Sequence, residues 1–153
     1  MCKPKLVLMV GLPGSGKSTY AMTKFSKGYT ILSSDSIRKE LFGDEGSQEN
    51  NKLVFETLYS HMVDALKHKR NVVVDATNIN VKTRLWTLER VKDMKIKRIA
   101  ILLETDIETC KERDKKRTRK VEDYVIERYA KEFEAPTKAE GFDKIKKIKN
   151  FHI

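Results

Sequence analysis

The chain has 153 residues, 39% of them apolar and 35% charged, and its 32 Lys and Arg against 22 Asp and Glu leave a net charge of +10. That length suits a single domain over residues 1–153 with a core of its own, and the composition excludes a disordered chain. Apolar runs such as Leu6 to Val10 are far shorter than the ~20 residues of a membrane span and too short for a secretory leader. Cys2 and Cys110 have neither metal nor CxxC spacing, so free thiols in a reducing cytoplasm are expected.

In chain order, Lys5 to Val10 reads as a buried parallel strand running into a glycine-rich turn, with a helix over Gly16 to Phe25. Tyr29 to Ser33 is a short strand, and Ser34 or Asp35 caps a helix through about Phe42. Gly43 to Ser47 is a loop. Glu49 to Lys69 is helical, with Leu53, Val54, Leu58, Met62, Ala65 and Leu66 facing inward at 3–4 spacing. Asn71 to Asp75 holds the apolar run Val72-Val73-Val74. Val81 to Asp93 is helical with Leu85, Leu88 and Val91 inward, and Trp86 is expected in the core rather than as a base-stacking platform. Ile96 to Leu103 is a strand, Asp106 to about Lys116 a helix, and Glu122 to Phe133 a further helix ended by Ala135-Pro136-Thr137. Phe142 to Asn150 is read as a last edge strand rather than an amphipathic tail. Strands alternating with helices predict an α/β domain with a parallel sheet covered on both faces, which binds ligands beyond the carboxyl ends of its strands.

After the first strand, Gly11-Leu12-Pro13-Gly14-Ser15-Gly16-Lys17-Ser18-Thr19 fits GxxxxGK[ST] in full. The glycines let successive N–H groups turn inward as a phosphate nest, and the positive end of the next helix faces the same anion. Lys17 supplies charge for the β and γ phosphates, and Ser18 a hydroxyl for Mg²⁺. The second strand, expected beside the first, is followed by Asp35 and Arg38. Three residues apart on a first helical turn, they share a face as a carboxylate to take a proton and a guanidinium to hold phosphate. As an isolated pair they would be no more than a cap and a surface charge. Asp75 ends an apolar strand, where an acid orders Mg²⁺ and its waters, anchors Arg38 or orients the acceptor. Thr77 and Asn78 shape the turn that follows.

Residues 111–120 carry a local charge of +5. Arg113 and Arg117 there are four apart and share a helical face. Such density suits a basic lid, about residues 111–121, that closes over a nucleotide and keeps water out. It also suits a solvated helix end. The overall excess of +10 fits a polyanionic partner such as nucleic acid, or a solubilising surface. His61, His68 and His152 show no metal or catalytic spacing.

Together, GLPGSGKST at 11–19, SSDSIRKEL at 33–41, DATN at 75–78 and KERDKKR at 111–117 resemble the 5′-polynucleotide kinase family, the end-healing kinases of phage and bacteria. The resemblance covers most of the chain and implies a P-loop kinase three-layer fold with a basic helical lid. It implies ATP held by Gly14, Ser15, Gly16, Lys17, Ser18 and Thr19, and Mg²⁺ at Ser18 and Asp75. Asp35 would be the general base on the 5′-hydroxyl of DNA or RNA, and Arg38 the clamp on the 3′-phosphate of the terminal nucleotide. Asp75 matches a required acid of the family. Arg117 would contact the donor phosphates with Arg113 supporting it. The alternatives are a kinase for a small sugar- or nucleoside-type metabolite and an ATP-gated nucleic-acid binder without transfer activity.

Overall fold

The computed structural model describes residues 3–43, 51–116, 122–149 and 151. The elements run β1 (Lys5–Val10), α1 (Lys17–Phe25), β2 (Tyr29–Ser33), α2 (Ser34–Phe42), α3 (Asn51–Lys67), β3 (Asn71–Asp75), α4 (Val81–Glu89), β4 (Lys97–Glu104), α5 (Ile107–Lys115), α6 (Asp123–Glu132) and β5 (Lys144–Lys149). The five strands form one parallel sheet in the order β2-β3-β1-β4-β5.

Side chains alternate across the strands and feed two cores. Leu6, Leu8, Val72, Val74 and Ala100 face α2, α3 and the end of α4, where Ile37, Val54, Leu58, Met62, Leu66, Leu88 and Val91 meet them. Val7, Met9, Val73, Ile101 and Leu103 face the other way, against Tyr20 and Ala21 of α1. The last segment is a strand, as expected. It is an edge strand, Lys-Ile-Lys-Lys-Ile-Lys, whose lysines discourage pairing with another chain. No helix among the described residues is long and apolar enough to cross a membrane.

The structure corrects four expectations. β2 does not lie beside β1. β3 comes between them, because its valines are buried on both faces whereas every residue of β2 is half-buried. Neither Ser34 nor Asp35 caps α2; Ser33 does, its Oγ accepting from the Ser36 N–H at 3.2 Å. Helix α4 stops at Glu89 rather than Asp93. The Arg98 guanidinium donates to the carbonyls of Val91 (2.6 Å) and Met94 (3.3 Å), and the chain turns there toward β4. Finally, Leu53, Leu85 and Trp86 are outside the core, at 48%, 44% and 53% exposed. In α4 the inward face is taken by Arg84, Thr87 and Leu88 instead.

Candidate active site

The register aligns the carboxyl ends of the strands: Ser33 of β2 pairs with Asp75 of β3, and Asp75 with Met9 of β1. The functional side chains collect beyond this row. The loop after β1 turns tightly, with the Ser15 N–H donating to Leu12 O at 3.0 Å and Gly14 and Gly16 at φ 81° and 97°. Gly16 is the left-handed N-cap of α1, so Lys17, Ser18 and Thr19 form the first turn at the positive end of that helix. The Ser18 hydroxyl donates to Asp75 Oδ2 at 2.7 Å. These hard oxygens are a donor set suited to Mg²⁺, which takes one or two protein oxygens and fills its shell with water and phosphate.

Asp35 and Arg38 are brought together as their spacing implies. Arg38 donates from NH1 to Asp35 Oδ1 at 3.0 Å and from NH2 to Asn51 Oδ1 at 2.8 Å. Arg38 is buried, and its Nε has no hydrogen-bond partner among the described residues. Asn51 escaped the sequence reading because it sits on α3 behind a loop. No local spacing joins it to Arg38.

Two cavities open here. One of about 870 Å³ is lined by Gly14, Gly16, Thr19, Arg113 and Lys116, among others. The other, of about 530 Å³, has Arg38, Asn51, Phe55, Thr83, Arg128 and Tyr129 in its wall. They share Lys17, Ser18, Ser33, Asp35 and Asp75. The acid of α2 therefore stands where the phosphate nest meets the second cleft.

Ser15 turns its side chain and carbonyl away from the cavity. Its side chain is buried, and its carbonyl accepts from Thr105 Oγ1 (2.8 Å) and Arg113 NH1 (3.2 Å). The second donor pair of Arg113 reaches the Phe151 carbonyl at 2.7 Å, and the Phe151 ring meets Tyr20 of α1 edge-on at 5.1 Å. Arg113 thus ties α5 to the loop backbone and to the last described residue. Of the expected lid, residues 111–115 end α5, and Lys111 pairs with Glu127 of α6. That contact raises the Lys111 pKa and lowers that of Glu127. Arg117 and residues 118–121 lie outside the described residues. Gly14 packs on the Cys110 carbonyl, and burial pushes the Cys110 thiol up to about 11 from its ordinary 9.0.

Thr77 and Asn78 do shape their turn. The Thr77 carbonyl accepts from the Gly11 N–H at 3.0 Å, and the Asn78 side chain donates to Met9 O at 2.8 Å. Asn78 itself is left-handed, at φ 48°. Its carbonyl is held by Arg84 NH1 (2.7 Å), and Arg84 also pairs through Nε with Glu140 Oε1 at 2.7 Å. This brace was invisible in the sequence, since its carboxylate arrives 56 residues later. Among the described residues no cluster of three or more His, Cys, Asp or Glu could hold a metal.

A parallel sheet of this order, a phosphate nest after its central strand and an acid at the end of the neighbouring strand define a P-loop kinase. The profile of the AAA_33 family, an AAA domain, matches residues 6–136, and the chain belongs to that family. The resemblance to polynucleotide kinases is borne out by relatives bearing that name. A protein of Autographa californica nuclear polyhedrosis virus, provisionally named a bifunctional polynucleotide kinase/RNA ligase, is 30% identical over 76% of this chain and 18% of its own length. A bifunctional polynucleotide phosphatase/kinase of Schizosaccharomyces pombe is 23% identical over 94% of this chain and 33% of its own. The chain thus spans a third or less of these relatives. Among solved structures, a chain of the Pnkp1/Rnl/Hen1 RNA repair complex superposes with a TM-score of 0.77 at 24% identity, covering 86% of this chain and 44% of that one. Kti12 of Chaetomium thermophilum, with ADP-AlF3, gives 0.75 at 17% identity over 95% of this chain and 89% of its own. At such identities these structures establish a common fold.

Proposed function

We propose that the protein transfers the γ-phosphate of ATP to the 5′-hydroxyl of DNA or RNA. The observation that carries this reading is the meeting of the two cavities at Asp35. ATP occupies the larger one, its phosphates over the Gly14–Thr19 turn and beside Lys17. Mg²⁺ would be held by Ser18 and Asp75, where it neutralises phosphate charge. The 5′-terminal nucleotide enters the smaller cleft. Asp35 takes the proton of its hydroxyl as the bond from the 5′-oxygen to phosphorus forms and the bond to ADP breaks. Arg38, fixed by Asp35 and Asn51 with donor capacity left at Nε, holds the 3′-phosphate of that nucleotide. Arg117 supplies charge to the donor phosphates and Arg113 supports the loop behind them. The work is positioning and charge neutralisation, as phosphoryl transfer requires. The names of the relatives and the charge of +10 support a nucleic-acid acceptor.

The test is incubation with γ-labelled ATP and a panel of 5′-hydroxyl oligonucleotides, nucleosides and sugars. Label is expected on the oligonucleotides, and Lys17→Ala is expected to abolish it while leaving the fold intact. Label appearing only on a nucleoside or sugar refutes the polynucleotide acceptor. Near-normal turnover in Lys17→Ala refutes the donor site.

A further inference from the structure

Trp86 is the sole tryptophan of the chain and stands 53% exposed on α4. The Lys82 ammonium lies 5.1 Å from its ring centre. Thr83, Trp86 and Arg90 recur at spacings of three and four, so they follow one flank of the helix. Thr83 is in the wall of the smaller cleft, as is Phe55 of α3. The flank therefore begins inside that cleft and leaves it past Trp86. Behind Phe55 the aromatic packing continues into the buried Tyr59. The Phe55 and Tyr59 rings are 6.2 Å apart, and the Arg90 guanidinium sits 5.0 Å over Tyr59. Among the described residues Arg90 also pairs with Glu56 from both amino groups, at 2.7 and 3.4 Å, and with both side chains 45% exposed the pair faces water and its charge can be exchanged for another anion.

We infer that this flank carries the nucleotides 3′ of the acceptor's terminal residue, with Trp86 as a base-stacking platform and Lys82 and Arg90 as phosphate contacts. The inference rests on the polynucleotide reading above. Aromatic faces interleaved with cations are how single strands are held without sequence preference: each base has a π-face for the ring, and the cations follow the backbone. Continuity with the acceptor cleft gives the strand its direction in this placement: the terminal sugar sits at Asp35 and Arg38, and the chain leaves along the wall that Thr83 lines.

Because no other tryptophan contributes, emission reports on this surface directly. Wild-type protein without ATP is titrated with 5′-hydroxyl oligothymidylates of one to eight nucleotides. Quenching is expected to grow from the mononucleotide to the tetranucleotide and to weaken with salt. In steady-state transfer the wild-type acceptor KM is expected to fall with acceptor length. Trp86→Ala is expected to flatten that fall, raising the octanucleotide KM about ten-fold with kcat held, and Trp86→Phe to recover part of it. Transfer to oligonucleotides with length-independent quenching, or an octanucleotide KM unmoved by Trp86→Ala, overturns the platform and leaves the kinase reading standing. Absence of transfer to any oligonucleotide, together with absence of quenching, overturns both.

Discussion

Gly14 is where the phosphate nest presses hardest on the rest of the protein. A Cβ built there would stand 2.2 Å from the Cys110 carbonyl oxygen and 3.0 Å from its carbonyl carbon. Carbon and oxygen in contact keep roughly 3.3 Å, so the overlap is about 1 Å. The obstacle is helix backbone, which cannot rotate away as a side chain would. Either α5 or the loop must shift, at a cost of about 1–3 kcal/mol for overpacking of this kind. The left-handed φ of 81° adds roughly 1–2 kcal/mol for any residue with a Cβ. Gly28 offers the control, because it has φ 78° but nothing within 4 Å of its Cβ position. Gly14→Ala should thus cost about 2–5 kcal/mol and Gly28→Ala about 1–2 kcal/mol. For a domain of this size the melting temperature should fall by roughly 4–20 °C in the first and 2–8 °C in the second. Scanning calorimetry measures both, and ATP titration should show weaker binding in Gly14→Ala alone. Equal melting shifts with unchanged ATP affinity in both variants would refute the argument from close approach.

Three further expectations follow from the same geometry. Asp35→Asn keeps the shape but cannot accept a proton, so kcat should drop by about 10²–10⁴ with the ATP KM nearly constant; an unchanged kcat in steady-state assays would remove the general base. Arg84→Met removes the cation from the Glu140 carboxylate, only 5% exposed, and leaves it the N–H and hydroxyl of Thr137; this should cost about 3–5 kcal/mol in urea unfolding, with Arg84→Met/Glu140→Gln recovering part. The raised Cys110 pKa has a definite sign. The folded state keeps a proton that the unfolded chain begins to lose near pH 9, so stability is complete below that pH and drains as pH rises toward 11, by on the order of 2 kcal/mol. In denaturation curves across that window the loss should be smaller in Cys110→Ala, and an identical loss would exclude Cys110 as its source.

The alternation of strands and helices was legible because each strand is a dense apolar run bounded by turn chemistry. The order of the strands was not announced by any motif, but its signal was present. Val72-Val73-Val74 has no polar face and belongs inside a sheet, whereas Tyr29-Thr30-Ile31-Leu32-Ser33 tolerates an edge. The P-loop and the Asp35–Arg38 pair were legible because their chemistry is local, within one turn or one helix. Asn51, Arg84 and Glu140 were not, because each finds its partner across a loop or another element. The same cause misled the reading of α4. Apolar periodicity placed Leu85 and Trp86 inward, but Arg84 takes that face to meet Glu140 and the Asn78 carbonyl, turning the tryptophan out.

The five residues shared by the two cavities bear on the order of events. With ATP in one cavity and the acceptor in the other, as proposed, neither must vacate its place for the other. Under the proposed reaction both are aboard before anything moves, and initial-velocity lines for the two substrates should intersect rather than run parallel. Under that same reaction no phosphorylated enzyme stands between them. A phosphoryl group that crosses this boundary once, from one side to the other, arrives with its stereochemistry inverted.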